Sequence, residues 1–274
     1  GRSYTYYAHP SNKETTSLVW DGGNIVVNPR NGLYGAIIVG PRGSQYRDPV
    51  TGADVSQKNS WRADVIVDTS FTENAGKRNY RDVALFFQDE DNIIGTAFMP
   101  YVQNVAGLTS VNYRAEPYKF REEQGCSLGK IFQPCAVDKP EDPVTPLIEA
   151  HAGDAVRIHV IGANSEQNGM FGVEGHEWPI EPYMPGADQI SVVEYAGSET
   201  LDVFIRGGAG GPYRQVGDFV WSNARLPYTQ SGQWGYLRVL PAGDSRIQPL
   251  GTHGMGAKQA EVEPAVKAIP TAMK

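Results

Sequence analysis

Five histidines (His9, His151, His159, His176 and His253), two cysteines and the acidic run Asp89-Glu90-Asp91 are the side chains of this 274-residue sequence best suited to chemistry. Imidazole and thiolate suit transition metals, and carboxylate oxygens suit hard cations such as Mn(II) or Ca(II). His159 alternates with Ile158 and Val160, so it is expected on a strand, hydrogen-bonded on one sheet face. His151 and His253 stand beside turn residues and are expected at the surface. The acidic run has no second acidic cluster paired with it and reads as a solvated loop ahead of a cation site. Gly207-Gly208-Ala209-Gly210-Gly211 lacks the Lys-Ser/Thr and helix of a phosphate loop, and no Ser-His-Asp spacing supports nucleophilic catalysis. No catalytic residue is therefore assigned.

Cys126 and Cys135 flank a loop-like stretch with Gly129 and Pro134. They could close a short disulfide in an oxidising compartment, or be two free thiols in a reducing one. The formal net charge of −7 and a pI near 5.3, with no Lys/Arg run, argue against nucleic acid and an anionic membrane as partners. No apolar stretch reaches the roughly 18 residues of a membrane span. The start, Gly1-Arg2-Ser3-Tyr4-Thr5-Tyr6-Tyr7, already reads as a strand, as expected of a mature start or of a fragment of something longer.

The elements that must position these side chains are strands. The 31 Gly and 19 Pro are spread along the chain and punctuate short apolar runs. Asn31-Gly32 is a tight turn feeding residues 33–39, and further strands are expected at 63–68, 81–88, 155–161, 189–193, 199–205 and 236–240. This pattern specifies an all-β sandwich. Residues 1–42 are expected to be the closing strands of an upstream domain, and 43–79, rich in Gly, Pro, Asp and Ser, an inter-domain connection. Residues 80–242 are expected to form a complete domain, and 243–274 a tail or linker. The first two blocks both end in a Gly-x-aliphatic-aliphatic-x-Pro strand, as two tandem copies of one domain type would.

The run Gly32-Leu33-Tyr34-Gly35-Ala36-Ile37-Ile38-Val39-Gly40-Pro41 resembles the strand that closes cupredoxin domains in multicopper oxidases. Phe87 to Asp91, Val111 to Pro117 and Ala152 to Val160 are similar to large bacterial multicopper oxidases, a group that includes manganese oxidases. The resemblance covers residues 1 to about 242 and implies cupredoxin-like Greek-key β-sandwich domains in tandem. It also implies copper chemistry, in which single electrons taken at a blue copper pass to a trinuclear copper cluster that reduces dioxygen to water.

A blue copper needs a thiolate and two imidazoles, usually with a weak axial Met. The family supplies the thiolate from a His-Cys-His segment before its last strand, and Trp221, Ser222 and Asn223 occupy those places here. No Met lies near Trp234. The family's His-x-His strand aligns on Phe171 to Trp178, with Gly172 and Glu174 at the two ligand positions and His176 on a trailing His that is ordinarily no ligand. His9, in Ala8-His9-Pro10, stands where an upstream domain would carry a His-x-His pair. His9 and His176 are thus the candidate metal ligands, with a surface turn as the alternative for His9. Five histidines are fewer than the trinuclear cluster takes, so copper is expected in the parent assembly and not within residues 80–242.

Two functions follow. The segment is expected to be a copper-free spacer of a secreted, extracellular or periplasmic multicopper oxidase, partnered by other cupredoxin domains or chains. Alternatively it is a non-enzymatic extracellular structural or assembly protein, in a surface layer, filament or complex, that keeps the fold. The expected partner would cover the sheet edge that an incomplete first domain leaves open.

Overall fold

The structure, a computed structural model, describes Thr5 and residues 14–25, 27–90, 108–133, 142–165 and 167–251. It begins with an antiparallel hairpin of β1 (Thr15–Trp20) and β2 (Tyr34–Val39). Then come β3 (Gln45–Arg47), β4 (Arg62–Ile66), β5 (Tyr80–Glu90), β6 (Leu108–Val111), a short helix α1 (Tyr118–Glu123) and β7 (Ile148–His151). The chain continues through β8 (Val156–Asn164), β9 (Gly169–Val173), β10 (Trp178–Pro179), β11 (Gln189–Ile190), β12 (Val192–Tyr195) and β13 (Thr200–Phe204). It closes with β14 (Gly217–Asn223), α2 (Leu226–Gln230) and β15 (Trp234–Leu240). Among the described residues no helix is long and apolar enough to cross a membrane.

Two sheets face each other, one ordered β13-β8-β5-β4-β3 with β6 added to β5, the other β12-β9-β14-β15-β7. The protein is an all-β sandwich. β5 runs parallel to β8, and β15 parallel to β7. Parallel neighbours cannot be joined by a tight turn, so the chain between β5 and β8 crosses over through β6, α1 and β7.

Strand alternation places Val83, Leu85 and Phe87 of β5 and Val156, Ile158 and Val160 of β8 in the core between the sheets, with Phe171, Val173, Trp221, Leu237 and Val239 opposite. Both outer faces are partly covered too, so Ala84, Phe86, Ile161 and Ala163, between the inward-facing residues of β5 and β8, are apolar as well. Leu18, Tyr34, Ala36 and Ile38 of the hairpin pack on Ala84, Ile161 and Ala163. On the other outside face, Cys126, Ile131 and Phe132 pack on Val220, Trp234 and Tyr236.

Three boundaries differ from expectation. Residues 43–79 are no separate connection, because they supply β3 and β4 to the sheet that β5 centres. The strand expected at 63–68 is β4, shifted by one or two residues, whereas β3 is only three residues long among Gly- and Asp-rich turns and gave no strand signal. Residues 15–39 lie on the outer face of this same sandwich. Residues 243–251 pack as well: Ile247 and Leu250 are buried, and the Gln248 N–H donates to the Pro49 carbonyl at 2.6 Å. Residues 252–274 lie outside the described residues.

Candidate functional site

The two stretches where the resemblance implies copper ligands are neighbours in space. β9 and β14 pair antiparallel, with Trp221 opposite Val173, Ser222 opposite Gly172 and Asn223 opposite Phe171. Trp221 turns inward and is fully buried, its ring perpendicular to Phe87 at 6.3 Å between centroids. A Cβ on Gly235 would lie 2.4 Å from that indole, so the strand beside it carries glycine to admit the ring.

Asn223 ends β14 in a buried amide network. Its Nδ2 donates to Gln233 Oε1 at 2.7 Å and to the Tyr195 hydroxyl at 3.1 Å, and its Oδ1 accepts from the Met170 N–H at 3.0 Å. Gln233 Nε2 donates onward to the Gln88 carbonyl at 2.9 Å. Asp89, expected in a solvated loop, is buried and accepts from the Tyr228 hydroxyl at 3.0 Å and from Ser165 at 3.1 Å. Its strand runs further than the acidic composition suggested. The Glu90 side chain and Asp91 lie outside the described residues.

This donor set does not fit copper. Ser222 offers a hydroxyl, Gly172 nothing, and a buried Trp donates an N–H but has no lone pair to give. Among the described residues no three His, Cys, Asp or Glu side chains come together as a metal group.

His176 is corrected as a metal candidate. It is buried, its Nδ1–H donates to the Glu174 carbonyl at 2.7 Å, and its Nε2 accepts from the Gly210 N–H at 3.1 Å. Both ring nitrogens are occupied, leaving no lone pair for a metal. Burial lowers its pKa against the pull of the Glu174 carbonyl, which keeps this tautomer neutral. His9, His253 and Cys135 lie outside the described residues, and with Cys135 the expected disulfide; Cys126 is buried under Trp234.

His151 is buried, not exposed. Its Nε2–H donates to the Asp244 carbonyl at 2.9 Å, and its Nδ1 accepts from Arg81 at 3.3 Å. Arg81 itself is a buried hub, paired with both oxygens of Asp64 at 2.7 and 2.8 Å and with Asp154 at 2.8 Å. It also donates to the Gln248 carbonyl at 2.7 Å, which fastens the segment after β15 to the sheet.

The densest polar cluster lies on the outer face of β5, β8 and β13. Register puts Arg157 beside Asp82, and His159 beside Asp202. His159, fully buried, reaches Asp82 through Nε2 at 2.8 Å and Asp202 through Nδ1 at 2.6 Å. Arg157 clasps both oxygens of Asp82 at 2.8 and 3.0 Å and donates to Glu14 at 3.1 Å. From the hairpin, the Thr16 hydroxyl donates to Asp202 at 2.8 Å and touches His159 Nδ1 at 2.6 Å. Tyr183 donates to Asp202 at 2.7 Å.

Burial by itself would strip the His159 proton, but the two carboxylates outweigh it and raise the pKa. Burial likewise opposes charge on Asp82 and Asp202, and their cationic partners and donors hold both below the usual carboxylate range. With a carboxylate oxygen at each ring nitrogen, the surroundings favour the imidazolium, which donates from both. It can act as a fixed charge, not as a metal ligand or resting base. Sequence reasoning placed His159 on a sheet face but did not find its partners. The available signal was charge inside apolar strands, at Asp82, Arg157 and Asp202, where an unpaired charge is too costly to bury.

A cleft of about 400 Å³ adjoins Asp82 and His159, bordered by Ile38, Tyr46, Trp61 and Arg62. A second of about 360 Å³ adjoins Thr16, Tyr183 and Asp202 on the other side.

No family model matches the chain, and no curated protein does. Among solved structures it is similar to the blue copper oxidase from Nitrosomonas europaea, at 15% identity and a TM-score of 0.48, over 85% of this chain and 57% of that one. It is similar also to the copper nitrite reductase from Nitrosomonas europaea, at 14% identity and a TM-score of 0.48, over 85% and 65% of the two chains. A crystallised multicopper oxidase matches at 12% identity and a TM-score of 0.45, over 83% and 57%. The chain spans less than two thirds of the length of each of these proteins.

Proposed function

We propose that this chain is a copper-free, cupredoxin-like structural module of a larger, exported multicopper oxidase assembly. The observation that carries the reading is the pairing of Ser222 with Gly172 beside a core-bound Trp221. At the family's ligand positions the sandwich has spent its side chains on packing and amide hydrogen bonds. The closing-strand motif at residues 32–41 supports descent from a copper protein, and the copper that does the chemistry belongs to neighbouring cupredoxin domains, on the same or another polypeptide.

The test is a copper count, by plasma mass spectrometry, and a visible spectrum, on the chain alone and on the native assembly. The expected result is no stoichiometric copper on the chain and a blue, copper-loaded assembly. Stoichiometric blue copper on the isolated chain would overturn the copper-free reading. A native assembly without copper or oxidase activity would replace the oxidase by the extracellular structural role.

A further inference from the structure

The hairpin β1–β2 is held by two different halves of one surface. Towards one end, Leu18, Tyr34, Ala36 and Ile38 bury against Ala84, Phe86 and Ile161. Towards the other, Thr16 meets His159 and Asp202, and Thr200 Oγ1 donates to the Thr16 carbonyl at 2.8 Å. Its opposite face is open, with Val19 and Ile37 45% and 49% exposed. A two-stranded hairpin is marginal in water by itself, so its place depends on these contacts and on its turn end, where the Tyr34 hydroxyl donates to Gln88 Oε1 at 2.8 Å, Gln88 Nε2 to the Arg30 carbonyl at 2.6 Å and the Tyr113 hydroxyl to the Gly32 carbonyl at 2.7 Å.

We propose that His159 is the pin of a pH-gated latch, in which loss of its proton releases the hairpin β1–β2 and the Tyr183 loop from the outer face of the sandwich. A neutral imidazole has one N–H. It can keep a bond to Asp82 or to Asp202, and the other carboxylate then faces a ring lone pair at hydrogen-bond distance. Asp82 retains Arg157 as its counter-charge. Among the described residues Asp202 has no hydrogen bond from a second cation, and Arg157 acts on it only through space: its remaining donors are the hydroxyls of Thr16 and Tyr183, so this is the side that opens.

The other charged and titratable groups around the ring do not replace the lost proton. Arg157, on the same strand, is committed to Asp82 and Glu14, and Glu14 is shared with Lys77 at 2.7 Å. Tyr80 lies under the Arg157 guanidinium at 4.6 Å. Tyr80 and Tyr46 both have their pKa raised, by burial first and then by Asp82, so neither supplies a charge near neutrality. The two clefts, one beside Asp82 and one beside Asp202, bring solvent to either side of the triad.

The sign is fixed by linkage. The docked ring holds its proton more tightly than the opened one, so docking is strongest at low pH and weakens as pH rises through the docked pKa. Between the opened and docked pKa values, opening releases one proton, and the hairpin's amide protection should fall about tenfold per pH unit. It should level off above.

The experiment is hydrogen exchange on the full chain across pH 6 to 10, corrected for intrinsic rates, alongside an NMR titration of the His159 ring. Expected is a loss of protection confined to residues 15–39 and the loop around Tyr183, tracking the ring titration, with β5 and β8 still protected. Asp202→Asn should flatten this dependence, whereas Thr16→Val should lower hairpin protection with the slope intact. A ring that stays protonated to pH 10, hairpin protection that ignores the ring's titration, or an Asp202→Asn chain with the wild-type slope would each overturn the latch.

Discussion

Ser222 on β14 sits directly opposite Gly172 on β9, so the two positions at which the resemblance implies a thiolate and an imidazole are neighbours across adjacent strands, and neither residue can bind copper. Restoring the sulfur alone should not restore the chemistry, because a blue centre also needs imidazoles. Ser222→Cys is expected to stay colourless with Cu(II). An intense blue band in its visible spectrum would mean that imidazoles reach this face after all.

The inward side of that pairing is packing. Trp221→Ala should cost about 3–5 kcal/mol, as for other buried Trp truncations. Gly235→Ala should cost about 1–3 kcal/mol by overpacking, since its Cβ would meet the indole and the Pro146 carbonyl at 2.4 and 3.0 Å. Urea unfolding midpoints read both. A neutral Gly235→Ala would show that the indole can move aside.

Arg81 joins Asp64, Asp154 and the Gln248 carbonyl. Arg81→Met should destabilise by about 3–5 kcal/mol because it leaves buried carboxylates unpaired. Exchange should rise first in residues 244–251. Unchanged protection there would mean that Ile247 and Leu250 alone hold the segment.

Acid should act in two opposite steps. Burial pushes the Asp64 carboxyl up to about 6 against the pull of Arg81; its folded pKa lies above the unfolded one, so this group adds stability as pH falls from 6 towards 4. Asp82 and Asp202 are shifted down. Their contribution is complete above about pH 4 and is lost as pH falls through their folded values. Urea midpoints measured from pH 7 to 2 should therefore hold or rise to about pH 5 and drop below 4. Asp64→Asn should remove the rise, and a steady decline from pH 7 would contradict this account.

Much of the architecture was written locally. The alternation in β5 and β8, the Asn31-Gly32 turn and the Gly/Pro punctuation determined an all-β sandwich, because strand period and turn chemistry are properties of a few adjacent residues. The absence of thiolate and imidazole at positions 221–223, 172 and 174 was equally plain, since residue type alone decides what can bind copper. Contacts between distant segments were not legible. Residues 43–79 looked like a linker because β3 is short and because the strand expected at 63–68 joins the sandwich only by pairing with β5. His151 and Asp89 looked exposed from their neighbours in sequence, yet chain crossings bury them. The cluster needs residues 16, 82, 159 and 202, drawn from four strands. Burial and register, which depend on which strands lie side by side, brought to His159 the carboxylates that favour its imidazolium.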